Sequence, residues 1–173
     1  SVNFYSKTKI DAEKIVSEYE KSLIVRGTFF GLKNGGNESF FSNLIKRLDN
    51  NEKIKVPKDK ISNGLFVRDF SKIIHKMCEK NLIGIYHVGS INNKNNFEFA
   101  KTIADVGGYD NNLIEECIFN EIYETKKLTA KRPLNTTLDI KKISNEIKMQ
   151  TVTEVIMSFY KNYNDTKNNQ VRL

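Results

Sequence analysis

Residues 4–31 read FYSKTKIDAEKIVSEYEKSLIVRGTFFG, and the order of features within them decides the fold. From about Tyr5 to Tyr19, the apolar residues Ala12, Ile15, Val16 and Tyr19 recur at the spacing of one helix face. Leu23-Ile24-Val25 follows as a short continuous apolar run, the pattern of a strand buried on both faces. A helix feeding such a strand through a short loop is half of an α/β unit.

The rest of the chain repeats the alternation. Phe40, Phe41, Leu44, Ile45 and Leu48 mark a second helix, and Lys53–Val56 and Gly64–Val67 read as short strands around a Pro57–Asn63 turn. Asp69 stands where an N-cap belongs, ahead of the stripe Phe70, Ile73, Ile74, Met77 and Cys78. GIYHVG, residues 84–89, is a strand bounded by glycines. Asn95 and Glu98 have capping-box spacing and open a helix through Phe97, Ala100, Ile103 and Ala104, which Gly107-Gly108 can end in a left-handed cap. Glu116–Phe119 reads as a strand. Helices are expected near Leu138–Met149 and Val152–Tyr163, the second with Thr151 and Glu154 in capping-box spacing, before a polar, frayed tail after Asn164. The pattern predicts an α/β fold with a parallel sheet and a mostly helical last third.

Composition narrows the function. The 173 residues carry 28 Lys and Arg against 21 Asp and Glu, a net charge of +7. Only five of the basic residues are Arg, and the Lys residues are scattered among many Asn, which argues against a phosphate-tracking stripe and so against nucleic acid as the partner. A basic pocket for an anionic small molecule suits the charge better. No apolar run approaches the ~18 residues of a membrane helix. Cys78 and Cys117 are isolated, so a reducing, cytoplasmic setting is expected. His75 and Cys78 are three apart, but no second ligand pair joins them, and no metal site is expected. Neither a G-x-S-x-G nor a Walker motif is present.

One spacing carries chemistry. Tyr5 and Lys9 form Y-x-x-x-K, which puts both side chains on one helix face. A phenol titrates near 10, and a neighbouring ammonium favours its phenolate, so such a pair can hand a proton to a carbonyl oxygen under reduction. The spacing recurs at Tyr123/Lys127 and Tyr163/Lys167, where it reads as solvated helix face. Context sets the first apart, because Tyr5 opens the helix that leads into Leu23–Arg26.

In that context the chain resembles the extended short-chain dehydrogenase/reductases, and within them the dTDP-4-dehydrorhamnose reductase branch. FYSKTKIDAEKIV is similar to the branch's active-site helix and LIVRGTFFG to the strand and turn after it. ESFFSNLIKRL, VRDFSKII, GIYHVGS, NFEFAKTIA and AKRPLNTTLDIKKI resemble its later segments, in order, from Tyr5 to about Asn164. The departure is equally plain. Such enzymes begin with a strand and a glycine-rich turn for the dinucleotide pyrophosphate, and their catalytic Ser or Thr precedes the Tyr. Gly35-Gly36 and Gly107-Gly108 do not substitute for that turn.

The resemblance therefore implies the C-terminal half of a Rossmann-type parallel sheet with an interleaved, mostly helical substrate-binding lobe. Residues 1–32 and 63–90 would be the remnant of the NAD(P)-binding domain, 33–62 and 91–165 the lobe, and 166–173 a tail. It also implies NADPH or NADH as cofactor, a nucleotide-linked 4-keto-6-deoxysugar as substrate, and a homodimer of the complete protein. Tyr5 would donate the proton, and Lys9 would support it and bind the nicotinamide ribose. Phe29 would lie against the sugar, where the branch usually has Trp. Asn37 and Arg132 would meet the nucleotide-sugar phosphates. Arg68 would be either a phosphate ligand or the partner of Asp69. A related epimerase or dehydratase, or a non-catalytic binding subunit of the same fold, is the alternative.

Overall fold

The computed structural model describes residues 3–32, 39–125 and 132–170, with side chains to 122 in the second segment and to 163 in the last. It is α/β, as expected. Helix α1 (Phe4–Ser17) leads into β1 (Leu23–Gly27), and β2 (Phe29–Phe30) follows. Helix α2 (Phe40–Asp49) precedes three short strands, β3 (Ile54–Pro57), β4 (Ile61–Ser62) and β5 (Leu65–Phe66). Then come α3 (Val67–Glu79), β6 (Gly84–Val88), β7 (Lys94–Asn95), α4 (Asn96–Gly107), β8 (Ile114–Cys117), α5 (Phe119–Thr125), α6 (Lys141–Ser144) and α7 (Val152–Gln170).

The strands pair across long stretches of sequence. β1 lies parallel to β6 with Leu23 opposite Gly84, β2 parallel to β5, and β3 parallel to β8, while β4 and β7 pair antiparallel. Parallel pairs need crossovers, and α2, α3 and α4 supply them. One apolar core joins these layers: Phe41, Leu44 and Leu48 of α2, Leu65 and Phe66 of β5, Met77 of α3, Val88 of β6, Ile103 of α4, and Val155, Ile156 and Phe159 of α7.

Local signals held where chemistry is local. Asn95 and Glu98 form the reciprocal capping box of α4, and Gly108 ends that helix at φ 74°. Thr151 and Glu154 cap α7 in the same way: the Thr151 backbone N–H donates to Glu154 Oε2 at 2.7 Å, and the Glu154 N–H to Thr151 Oγ1 at 3.3 Å.

Four expectations need correction. Helix α3 starts at Val67, not at an Asp69 cap: Phe66 is the cap residue, and Asp69 lies buried in the first turn with Oδ1 3.3 Å from Lys72 Nζ. The helix expected over Leu138–Met149 shrinks to α6, because Leu138 is committed elsewhere. Its N–H donates to Asn63 Oδ1 and its carbonyl accepts from Asn63 Nδ2, both at 3.0 Å. The strand expected at Glu116–Phe119 lies earlier, at Ile114–Cys117, where its register with β3 is set. The α7 backbone stays helical to Gln170 instead of fraying after Asn164.

Asn63 is the polar hub of this arrangement. Buried at 4% exposure, it also donates from Nδ2 to the Ser90 carbonyl at 3.2 Å and accepts the Ser90 N–H at 2.8 Å. It thus ties the β4–β5 turn, the end of β6 and the segment before α6 together. Gly89 must remain glycine beside it, since a Cβ there would stand 2.7 Å from the Asn63 carbonyl oxygen. Asn63→Ala leaves one buried and two part-buried backbone groups without their partner and is expected to lower stability by about 2–3 kcal/mol, read as a shift of the urea midpoint at constant slope.

Candidate functional site

The site begins with α1. Asn3 caps it, its Oδ1 accepting the Ser6 N–H at 2.9 Å. No α1 residue is buried: Ile15 and Tyr19, on the face with helical spacing, are 69% and 67% exposed. β1 likewise buries only Ile24, not both faces, because among the described strands it pairs with β6 alone and the sheet there is two strands wide.

A five-residue connection turns α1 back along β1, and Glu13 meets Arg26 across it. The Arg26 Nε donates to both Glu13 oxygens, at 2.9 and 3.1 Å, and Nη2 donates to Oε2 at 2.5 Å. The Arg26 guanidinium holds the Glu13 carboxyl below the usual carboxylate range. Arg26 lies opposite His87 in the β1–β6 register, with Nη1 3.3 Å from His87 Nε2. Because α1 runs antiparallel to β1, Lys9 and Tyr5 lie about 6 and 12 Å beyond Glu13 along the helix axis, at 1.5 Å per residue. That carries them past the carboxyl end of β1, the side on which open α/β sheets bind ligands.

Tyr5 is 68% exposed, and Lys9 Nζ lies 5.5 Å from its ring centroid. The expected sharing of one face is therefore present. A phenol and an ammonium side by side, both reachable from solvent, suit a ribose and a carbonyl oxygen: the donor set fits a nicotinamide nucleoside.

The other expected residues are not gathered around this pair by any described contact. Phe29 follows the carboxyl end of β1, 57% exposed, with its ring 5.2 Å from that of Phe70. Asn37 lies outside the described residues. Arg132 is exposed on the segment before β-bridged Asn135, and its charge bears on Lys60. Burial, with Arg132 beside it, pushes the Lys60 ammonium below its ordinary range, while its Nζ sits 4.6 Å above the Phe119 ring. A half-buried cation in the field of a second, exposed one favours a nearby anion. Lys60 carries no sequence signal, since only the fold brings it to Arg132.

Arg68 pairs neither with Asp69 nor with any described carboxylate. It donates to Asn162 Oδ1 and lines an open groove of about 550 Å³ with Lys72, Glu154, Met157, Ser158 and Lys161. None of Tyr5, Lys9, Phe29 or Arg132 borders that groove. His75 is exposed, with Nδ1 3.4 Å from Glu79, and His87 is half-buried beside Arg26. Among the described residues no group of three or more His, Cys, Asp or Glu could hold a metal ion, and no helix is long and apolar enough to cross a membrane.

Comparison with known proteins bears on the family and the fold. The profile of the RmlD substrate binding domain matches residues 1–164. Curated protein sequences give no match. Among solved structures, the chain is similar to a dTDP-4-dehydrorhamnose reductase from Bacillus anthracis str. Ames in complex with NADP, at 27% identity and a TM-score of 0.79, covering 93% of this chain and 56% of that one. A reductase of the same name from Clostridium acetobutylicum shares the fold at 21% identity and TM-score 0.74, over 92% of this chain and 55% of that one. So does a dTDP-glucose 4,6-dehydratase from Bacillus anthracis str. Ames in complex with NAD, at 18% identity and TM-score 0.70, over 96% and 53%. The chain spans about half the length of these solved relatives.

Proposed function

The chain belongs to the RmlD substrate-binding-domain family, and from that premise we propose that it supplies the proton-donating and substrate-binding half of a reductase. The substrate is a nucleotide-linked 4-keto-6-deoxysugar and the cofactor NADPH, with NADH as the alternative. The observation that carries the reading is the exposed Tyr5–Lys9 pair, carried by α1 beyond the carboxyl end of β1. The nicotinamide, when bound, supplies a hydride to C4 of the sugar. Tyr5 gives its phenolic proton to the oxygen that becomes the new hydroxyl, and the Lys9 ammonium favours the phenolate left behind until solvent returns the proton. Lys9 also donates to the ribose.

Phe29 offers an apolar face to the sugar ring, and Arg132 with Lys60 takes the nucleotide phosphates. The segments 1–32 and 63–90 form the sheet side of the site and 33–62 and 91–165 the lobe. In support of that division, β1 pairs with β6 and β2 with β5 inside the first unit, and β3 with β8 and β4 with β7 inside the second. A glycine-rich dinucleotide-binding half, joined to this one or supplied beside it, completes the site against the open edge of β1 and the exposed apolar side of α1. The reaction belongs in the cytoplasm, where reduced nicotinamide is regenerated.

The shared fold with a dehydratase keeps a second reading in view. Cofactor stoichiometry separates them. With both halves present, the reductase oxidises one reduced nicotinamide per sugar consumed, whereas a dehydratase or epimerase oxidises none net.

A further inference from the structure

The proton-donor reading needs α1 to hold its place against β1, and within this chain no described α1 side chain is buried there. Of residues 3–20 only Asn3, Ser6 and Glu13 are even half-buried, and Asn3 and Ser6 bond each other in the helix cap. Ile10, Ile15 and Val16, which would ordinarily seat such a helix, are 44%, 69% and 46% exposed. Glu13 alone among these three reaches the sheet through described hydrogen bonds, all of them to Arg26.

We infer that Arg26 is a positioning residue for the Tyr5–Lys9 pair. Its guanidinium, forked onto Glu13 and flanked by His87, sets the height and rotation of α1 against β1. A planar fork constrains angle as well as distance, which a single point charge does not. The anchor is one turn from Lys9 and two from Tyr5 on the same face, so a small rotation at Glu13 becomes a displacement of the reacting hydroxyl. Arg26 itself touches neither sugar nor cofactor. This role rests on the proposed use of Tyr5, but the geometric part of it stands or falls alone.

Backbone amide residual dipolar couplings of the chain in solution test it. In the unaltered chain one alignment fits α1, β1, β6 and α3 together. In Arg26→Lys and in Glu13→Gln the α1 couplings are expected to fall to about half while those of β6 and α3 stay put, and the charge swap Glu13→Arg with Arg26→Glu restores most of them. Unchanged α1 couplings in both single variants overturn the inference. A uniform fall in every element also overturns it, because it marks general loosening. Turnover of a complete reductase is read separately: loss of α1 order in Arg26→Lys together with full activity in Tyr5→Phe leaves the clasp intact and removes the proton-donor reading instead. If both readings hold, Arg26→Lys lowers kcat at least tenfold with KM for the nucleotide sugar within twofold.

Discussion

Tyr5→Phe is expected to lower kcat by about 10²–10⁴-fold in a protein that carries both halves of the site, the range that a positioned general acid contributes. The nucleotide sugar should bind as before. The substitution removes only the hydroxyl and leaves the ring under Lys9 Nζ, whose 5.5 Å approach is to the ring centroid. The ring is 68% exposed, and its hydroxyl makes no described hydrogen bond, so folding loses nothing measurable and the whole effect falls on the chemical step. Lys9→Met should act in two ways, lowering kcat and weakening the cofactor, because the proposed mechanism has Lys9 serve both phenolate and ribose. A Tyr5→Phe protein with turnover within threefold of the parent removes Tyr5 from the mechanism.

Phe159→Ala should give the largest loss of stability, about 3–5 kcal/mol by the usual cost of emptying a buried aromatic site. The ring is 2% exposed and lies where α2, β5 and α7 meet. It stands edge-on to Phe41 at 4.8 Å and to Phe66 at 5.5 Å, and stacks on Tyr163 at 5.3 Å. At the rim Asp49 joins α2 and α7 to the turn after α4, its carboxylate accepting from Tyr109 at 2.7 Å and Tyr163 at 2.8 Å. Those bonds lie too near the surface to replace a lost core ring. Against a total of about 5–15 kcal/mol for a domain, such a loss brings the chain close to its unfolding threshold. Met157→Ala, two residues away and 54% exposed, should stay within about 0.5 kcal/mol. Denaturant midpoints for the two variants check both values, and a loss below about 1 kcal/mol for Phe159→Ala would displace it from the centre of the core.

The features legible in the sequence were those written within a few residues. The caps of α4 and α7 depend on side chains three positions apart, and the Tyr5–Lys9 face depends on helical spacing alone. What escaped was written across the fold. Leu138 reads as helix by its neighbours, yet Asn63, 75 residues earlier, holds its backbone out of one. Asp69 has the chemistry of a cap, but β5 runs directly into α3 through Phe66 and leaves it in the first turn. The stripe Ile15, Val16 and Tyr19 has the periodicity of a core face, but burial requires a partner that a two-stranded β1–β6 pair does not supply. The Arg132 charge acting on Lys60, and Arg26 gripping Glu13, are likewise products of topology.

Deuterium placed on C4 of the reduced nicotinamide bears most directly on the proposed reaction. A protein containing this chain and a dinucleotide-binding half is incubated with the labelled cofactor and a nucleotide-linked 4-keto-6-deoxysugar, and the product is read by NMR. With both hydrogens at the nicotinamide C4 replaced by deuterium, so that either face delivers label, one deuterium at C4 of the sugar and one equivalent of oxidised cofactor are the predicted result. A product altered at C4 without deuterium, or altered with no net cofactor oxidised, contradicts it.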